Sequence, residues 1–337
     1  MTPKLSILLP YRNAAETLDE CLHSISQQTL QDYELLAIDD HSTDRSPEHI
    51  ASFAHNDSRI RNLKNPQRGL VSALNFGLQQ ATTPFIARMD ADDRMLPERL
   101  TLQLERLSNN PQLTLLGTQV ALFPPDQIQK GFHEYITWQN QCLEHASIIN
   151  DMYIESPFAH PSLTYRRDAV INIGGYRDGP FPEDYDLWLR LYQSGHLMDK
   201  LPEVLLEWRD TQTRTSRVDP RCSCEAFDKL RAHYLAKDPI LLNRRDELVI
   251  WGAGRKSRKR CGLLLKHGFE TKAWIDIDPK KIGNRIKNVP VVDPDWLRQT
   301  PRPFVLVYVN NHGARDLIGR QLSTMGYQPR EDYLMVG

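Results

Sequence analysis

The stretch FIARMDADDRMLPERL, residues 85–100, places a short apolar strand directly before the carboxylates Asp90, Asp92 and Asp93. Each carboxylate makes its neighbours harder to ionise, so a cluster at a strand end requires a physical reason. Taken alone, the cluster has an ordinary explanation, because aspartate favours turns and helix caps. The flanking sequence decides between these alternatives.

Outward from this stretch, strands alternate with helices. LSILL (5–9) and YELLAID (33–39) are typical of buried strands, and the residues after Pro97 predict a helix. Two further helices are predicted by apolar residues at helical spacing, in the sets Leu18, Cys21, Leu22, Ile25 and Val71, Leu74, Leu78, Ala81. The alternation predicts an α/β fold with a mainly parallel sheet, whose ligands bind at the carboxyl ends of the strands.

Polar clusters fall at three of these strand ends: LLPYRN (8–13), DDHSTD (39–44) and DADD (90–93). Three clusters at one edge of a parallel sheet favour a binding site over unrelated turns. A divalent cation makes the like charges tolerable, because its charge keeps the carboxylates ionised. Few and hard oxygen ligands predict Mg²⁺ or Mn²⁺ that completes its coordination with diphosphate oxygens.

Composition limits the classes of protein that remain. The 337 residues allow two domains, and the net charge of −1 gives no overall reason to expect nucleic acid. Five scattered cysteines and an N-terminus without a signal-peptide core predict a reduced, cytoplasmic protein. No stretch approaches the roughly 20 apolar residues of a spanning helix, so we expect any contact with the inner face of the membrane to be peripheral.

Five motifs together resemble the family 2 glycosyltransferases of the GT-A fold, in the order and at the spacing of that family. They are SILLPYRNAAETLDECLHSISQQT (6–29), YELLAIDDHSTD (33–44), DADD (90–93), HPSLTYRR (160–167) and EDYDLWLRL (183–191). The resemblance implies an inverting transfer of a sugar from a nucleotide diphosphate donor, most often a UDP-sugar. It also implies a divalent metal, Mn²⁺ or Mg²⁺.

The same resemblance assigns the donor site. Asp40 matches the residue that accepts the uracil N–H, and Asp39 ties down the loop. Asp92 would coordinate the metal, while Asp90 contacts the ribose or a metal-bound water. Asp93 is interpreted as structural. The remaining donor-side positions are the floor residues Pro10, Tyr11 and Asn13 and the phosphate-binding Arg68 and Arg209.

The base is assigned to Asp184, which would take the proton of the acceptor hydroxyl, with Glu183 orienting the acceptor. Both residues are predicted at the first turn of a helix, where the macrodipole should keep a carboxylate ionised. The alternative is that the two acids only stabilise the helix start. His160 matches a position on the acceptor side. Segment 205–217 is expected to be a mobile lid, although Asp210 stands where the family often has histidine.

The chain lacks the QxxRW element of processive synthases, so transfer of single sugars is expected. The resulting prediction is a glycosyltransferase of the hexosyl or N-acetylhexosaminyl type. It would act on a glycan or lipid-linked acceptor in bacterial surface polysaccharide synthesis. The alternative is a nucleotide-sugar-binding regulatory protein without turnover. The predicted domains are 1–238 for the transferase, 239–246 for a linker and 247–337 for a second domain.

The second domain is predicted to be Rossmann-like. LVIWGAG (248–254) is typical of a strand entering a glycine turn at Gly252 and Gly254, with Ser257 in place of a third glycine. Asp276 follows Gly254 at about the spacing at which an acidic residue of a Rossmann fold binds a ribose. The region resembles nucleotide-sugar-binding domains of bacterial sugar acyltransferases. Five basic residues within 255–260 indicate either an anion site or a solvated helix face, and a dinucleotide redox module is a further alternative.

Overall fold

The structure is a computed structural model that describes residues 2–211, 214–298, 301–311 and 313–336. It contains two compact units. Unit 1 comprises Met1–Ile148 and Ser156–Pro220, and unit 2 comprises Ile149–Glu155 and Arg221–Gly337. In the described chain, no helix is both long and apolar enough to cross a membrane.

Unit 1 is built around a sheet of eight described strands. These are β1 (Leu5–Tyr11), β2 (Tyr33–Asp39), β3 (Ile60–Lys64), β4 (Phe85–Arg88), β5 (Arg94–Met95), β6 (Leu113–Phe123), β7 (Thr164–Arg166) and β8 (Leu197–Arg209). The helices are α1 (Leu18–Ser26), α2 (Ser46–Asn56), α3 (Leu70–Gln80), α4 (Arg99–Asn109), α5 (Lys130–Gln141), α6 (His145–Asp151), α7 (Arg167–Asn172), α8 (Glu183–Gln193) and α9 (Thr215–Val218).

The strand order is β3-β2-β1-β4-β7-β6-β8-β5. The first four strands are parallel, β7 is antiparallel to both neighbours, and β5 is antiparallel to β8. This mixed, mainly parallel sheet confirms the predicted fold class. The strands β1, β2 and β4 lie side by side, so the three polar clusters that follow them meet at one edge of the sheet.

The predicted helices of unit 1 form because their apolar stripes pack on this sheet. In α1, Leu18, Cys21, Leu22 and Ile25 are all buried, as their spacing predicts. The third predicted helix begins at Arg99, two residues after Pro97, because Leu96 and Pro97 still bond to the backbone of Leu205 and Thr29. The strand β3 has a polar sequence with no fully buried residue. It lacks the apolar pattern of a buried strand, and the sequence analysis therefore did not predict it.

Unit 2 has its own sheet in the order β11-β12-β10-β9-β13-β14. Its strands are β9 (Leu248–Trp251), β10 (Ala273–Ile275), β11 (Arg285–Ile286), β12 (Val289–Val292), β13 (Phe304–Val307) and β14 (Tyr333–Met335). Its helices are α10 (Cys224–Leu235), α11 (Pro239–Leu242), α12 (Arg255–Leu265) and α13 (Ala314–Thr324). Apart from the β11–β12 hairpin, all neighbouring strands are parallel.

The compact units and the predicted domains divide the chain at different places. Helix α10 belongs to unit 2, where Arg260 of α12 bonds to Asp228 and Arg231 bonds to the carbonyl of Ile154. The predicted linker 239–246 contains α11, which Asp238 caps. The predicted domain boundaries at residues 238 and 247 therefore stay a prediction.

Candidate active site

The loops after β1 and β2 are tied to each other by side-chain hydrogen bonds. Asn13 has a left-handed φ of 49°, and its Oδ1 accepts from the backbone N–H of Thr43 at 2.8 Å. Asp39 closes its own turn by accepting the Ser42 N–H at 2.8 Å. The buried Tyr11 donates its hydroxyl to Asn62 on β3. These bonds preform the floor of the predicted donor site, with Pro10 buried inside β1.

Asp40 fixes a second loop. Its carboxylate is buried, and Oδ1 accepts from Asn65 Nδ2 at 2.8 Å and from the Gly69 N–H at 2.7 Å. Gly69 has a φ of 131°, which favours glycine at that position. Arg68 precedes it and is exposed, without a hydrogen bond or ion pair to the described residues. Asp40 therefore holds the loop that presents Arg68, a contact that sequence reasoning did not foresee.

The three aspartates of DADD converge as the sequence indicated. One carboxylate oxygen from each of Asp90, Asp92 and Asp93 lies within 4.8 Å of the others. Burial and the neighbouring Asp90 raise the pKa of Asp92 to about 6, and burial with Asp92 raises the pKa of Asp93 well above its usual range. The cluster is therefore electrostatically unfavourable without a cation.

The donor atoms fit a hard divalent cation. Asp93 Oδ1 accepts the backbone N–H of Arg209 at 2.7 Å, whereas Asp93 Oδ2 is buried without a hydrogen-bond partner among the described residues. An unpartnered buried carboxylate oxygen in a group of three carboxylates is the chemistry that Mg²⁺ and Mn²⁺ prefer. Asp93 therefore combines a structural contact, as interpreted from sequence, with a buried oxygen that has no hydrogen-bond partner among the described residues.

A buried arginine interacts electrostatically with both the aspartates and the predicted base. Arg88, the last residue of β4, is only 2% exposed, and its Nη1 bonds to Asp90 Oδ1. Its charge lowers the pKa of both Asp92 and Asp184. Its backbone carbonyl accepts from Arg99 of α4 at 2.8 Å, which fixes the end of the strand. Sequence reasoning missed Arg88, although an arginine inside an otherwise apolar strand was a visible signal.

Glu183 and Asp184 occupy the first turn of α8, as predicted. Asp184 is half-buried, and its Oδ1 accepts the Tyr185 N–H at 2.6 Å. Burial and the adjacent Glu183 raise the pKa of Asp184 to about 7, which outweighs the helix macrodipole. The expectation that the helix start keeps this carboxylate ionised is therefore wrong near neutral pH. A pKa near 7 suits a general base.

His160 is buried beneath this helix. Its Nε2 lies 2.9 Å from the Tyr176 hydroxyl, which in turn lies 3.1 Å from the Tyr165 hydroxyl. Its ring packs edge-on against Trp188 of α8, with centroids 5.6 Å apart. Burial lowers the pKa of His160 well below its usual value, so the ring is neutral. These contacts position the helix that carries Asp184.

The lid segment is anchored at its start. Arg209 donates from Nε to the Asp92 carbonyl at 2.6 Å and also pairs with Glu20, so its guanidinium is already engaged. Asp210, at the common histidine position, is buried and pairs with Arg217 at 2.7 Å. Arg214 lies 3.8 Å over the Trp208 ring and lowers the pKa of Asp92. Residues 212 and 213 of the predicted lid lie outside the described residues.

Several known proteins are similar to this chain in sequence. The family model described as "Glycosyl transferase family 2" matches residues 6–174. The amylovoran biosynthesis glycosyltransferase AmsE of Erwinia amylovora is 33% identical over 208 residues, which are 60% of this chain and 74% of that protein. An Escherichia coli protein is 28% identical over 253 residues, 72% of this chain and 89% of the relative. Its name is UDP-Gal:alpha-D-GlcNAc-diphosphoundecaprenol beta-1,3-galactosyltransferase.

Solved structures share the fold at low identity. S. aureus TarS 1–349 in complex with UDP has a TM-score of 0.54 at 16% identity, over 78% of this chain and 70% of that one. The mannosyltransferase PcManGT from Pyrobaculum calidifontis, in complex with GDP-Man and Mn²⁺, has a TM-score of 0.51 at 16% identity, over 80% and 69% of the two chains. With the family model matching half of the chain, the protein is a member of glycosyl transferase family 2 and has the GT-A type of mixed α/β fold.

Proposed function

We propose that this glycosyltransferase is an inverting, metal-dependent enzyme that transfers single sugars from a UDP-sugar to a hydroxyl of a glycan or lipid-linked acceptor. The observation that carries the proposal is the aspartate cluster bonded to the buried Arg88, whose charge also acts on the carboxylate of Asp184. One group can hold a metal–diphosphate and the other can accept a proton. Metal-dependent inverting transfer uses both of these functions.

The donor would be held by the loops after β1 and β2. The proposed roles are a uracil contact for Asp40, a floor of Pro10, Tyr11 and Asn13, and phosphate contacts from Arg68. TarS with bound UDP, and TarS with bound UDP-GlcNAc, supply the analogy for a uridine donor. Because the Arg209 guanidinium is engaged by Glu20, we assign the mobile positive charge of the lid to Arg214 instead.

Mn²⁺ or Mg²⁺ held by Asp92 and Asp90 would neutralise the charge that grows on the departing diphosphate. Asp93 Oδ2 is a third candidate ligand. Asp184 Oδ1 is held by the Tyr185 N–H, which leaves Oδ2 to take the proton of the acceptor hydroxyl. Glu183 would orient the acceptor. Buried His160, hydrogen-bonded to Tyr176, supports the helix rather than moving protons.

The names of two relatives support the acceptor class that we propose, bacterial surface polysaccharide. One relative is named for amylovoran biosynthesis, and the other for galactosyl transfer to a GlcNAc linked to diphosphoundecaprenol. We extend that class to this chain, and we place its action at the cytoplasmic side of the membrane. A lipid-linked acceptor would bring the protein to the membrane surface without a spanning helix.

The test is titration calorimetry with UDP, with and without Mn²⁺, on the wild type and on Asp92→Asn. We expect binding to strengthen with Mn²⁺ and the strengthening to vanish in the variant. A UDP-release assay over a panel of UDP-sugars with lipid-linked acceptors then identifies the donor. Binding of UDP without release from any donor would favour the regulatory alternative, and absence of UDP binding under both conditions would contradict the UDP assignment.

A further inference from the structure

A cavity lies in unit 2, at the glycine turn between β9 and α12. Its volume is about 240 Å³. It is lined by Ala253, Gly254, Arg255, Arg258, Lys281, Asn284, Ile286 and Val291. The lining therefore has an apolar wall and three cationic side chains, and it contains no carboxylate. This combination accepts a ligand that joins an anionic group to an uncharged one.

The position of the cavity in the sheet limits the size of its ligand. Unit 2 has the doubly wound order, in which β12, β10 and β9 form one half and β13 and β14 form the other. Ligands of such sheets bind beyond the carboxyl ends of the strands. All lining residues come from the first half, between β9 and β12. A mononucleotide-sized compound fits this half, whereas a dinucleotide would need both.

The charge at the cavity comes mainly from two arginines. Arg255 and Arg258, on the first turn of α12, are exposed and have no ion pair with the described residues. Lys281 is partly neutralised by Asp276, at 2.9 Å. The surrounding chain adds a positive field, since residues 221–337 hold 22 Lys and Arg against 13 Asp and Glu, while residues 1–220 hold 20 against 30. The net charge of −1 conceals this division.

Four residues were predicted from the sequence to form an anion site, and most of them make contacts within the protein instead of lining the cavity. Gly252 has a φ of 128° and donates its N–H to Ile275. Ser257 donates its hydroxyl to the Tyr308 carbonyl at 2.9 Å, and it does not line the cavity. Asp276 is held by Lys281 and by the backbone N–H groups of Ala253 and Asp278. Of the four predicted residues, Gly254 is the one in the lining.

We propose that this cavity binds the phosphate or diphosphate group of a small soluble nucleotide or sugar phosphate, with Arg255 and Arg258 as the principal contacts. Arginine suits this role because its planar guanidinium can donate to two phosphate oxygens at once. Ile286 and Val291 would contact the uncharged part of the ligand. The proposal is independent of the donor and acceptor assigned to unit 1.

The test is titration calorimetry of the full chain in excess EDTA, with inorganic pyrophosphate, UDP and NAD⁺ as separate probes. EDTA suppresses metal-dependent binding at the aspartate cluster. We expect pyrophosphate and UDP to bind at one metal-independent site, UDP more tightly. Arg255→Gln with Arg258→Gln should weaken both by about tenfold or more, since each lost charged hydrogen bond contributes strongly to affinity.

The matched control is Lys256→Gln with Lys259→Gln, which removes the same charge from the same helix at exposed positions outside the lining. It should change affinity by less than about twofold. The proposal is wrong if neither pyrophosphate nor UDP binds without metal, or if both double variants weaken binding equally. Tighter binding of NAD⁺ than of UDP would also overturn it, in favour of a dinucleotide site. Failure here would leave metal-dependent UDP binding in unit 1 untouched.

Discussion

At the residue scale, the candidate active site depends on compensation of buried charge. Arg88 is almost fully buried, and a buried charge is tolerated only when it is paired. Its hydrogen bond to Asp90 and its electrostatic attraction to Asp184 satisfy that requirement, although its Nε has no hydrogen-bond partner among the described residues. Arg88 thereby offsets part of the repulsion that raises the pKa values of the site carboxylates.

The base should titrate within the working pH range. Asp184 must be deprotonated to accept a proton, and its pKa is raised to about 7 by burial and by Glu183. We therefore expect kcat/KM, measured by UDP release at saturating Mn²⁺, to rise with pH through about 7 and to level off above it. Asp184→Asn should abolish release while leaving UDP binding unchanged.

Glu183→Gln gives a more specific test of the pH dependence of kcat/KM. It removes the like charge that raises the pKa of Asp184, so the rising limb should move to lower pH. A profile that is flat across the neutral range, or a limb that stays in place in Glu183→Gln, would show that Asp184 is not the titrating base.

At the scale of elements, one helix holds the pieces of the active-site edge together. Arg99 of α4 bonds to the carbonyls of Arg88 and Leu163. Gln103, one turn later, donates to the carbonyls of Leu116 and Ser162 at 2.8 and 2.9 Å. These buried contacts join the end of β4, the interior of β6 and the turn that contains His160. The sequence predicted this helix but not its polar contacts, because a polar side chain on a helix can either face solvent or bond to a distant part of the chain.

Helix α3 approaches the sheet through a glycine. A Cβ added at Gly77 would lie 1.9 Å from Leu8 Cδ1 and 2.6 Å from Ile38 Cδ1. We expect Gly77→Ala to lower the free energy of unfolding of unit 1 by about 1–3 kcal/mol through overpacking. The measurement is urea denaturation followed by circular dichroism.

The matched substitution is Gly262→Ala in the interior of α12, where an added Cβ meets nothing within 4 Å. There the same change should stabilise unit 2 by about 0.5–1 kcal/mol, because alanine loses less conformational freedom than glycine in a helix. Stabilisation by Gly77→Ala would mean that α3 does not pack as closely on β1 and β2 as the structure places it.

At the scale of the whole molecule, the chain has two units with opposite net charge. Unit 1 contains the acidic cluster, whereas the basic residues 221–337 make up most of unit 2. Ligands that differ in their need for metal should therefore protect different parts of the backbone. Hydrogen exchange read by mass spectrometry reports that protection by location.

We expect UDP with Mn²⁺ to slow exchange in the segments 9–13, 39–44, 65–69 and 88–95, where the site loops lie, and also in 252–258, where UDP binds without metal. Pyrophosphate in EDTA should slow exchange only in 252–258, at the glycine turn of unit 2. Protection of 252–258 that disappears in the Arg255→Gln, Arg258→Gln variant would locate the second ligand. Protection confined to unit 1 under both conditions would contradict a ligand site in unit 2.

The sequence by itself determined the α/β class, the strands β1, β2 and β4, the aspartate cluster and the helix start that carries Asp184. These features follow from local rules: apolar periodicity, polar residues after buried strands and acids at a helix start. It also located the glycine turn of unit 2 and the helix that follows it. In each case, the information lies within a few neighbouring residues.

Only the tertiary structure decided how those groups affect one another. The effect of Arg88 on Asp184, the burial that raises the pKa of Asp184 to about 7 and the pairing of Arg209 with Glu20 all depend on residues far apart in the chain. The same holds for the cavity at Arg255 and Arg258, whose wall comes from the strands after β10. Burial and charge proximity are properties of the packed chain, and local sequence patterns do not encode them.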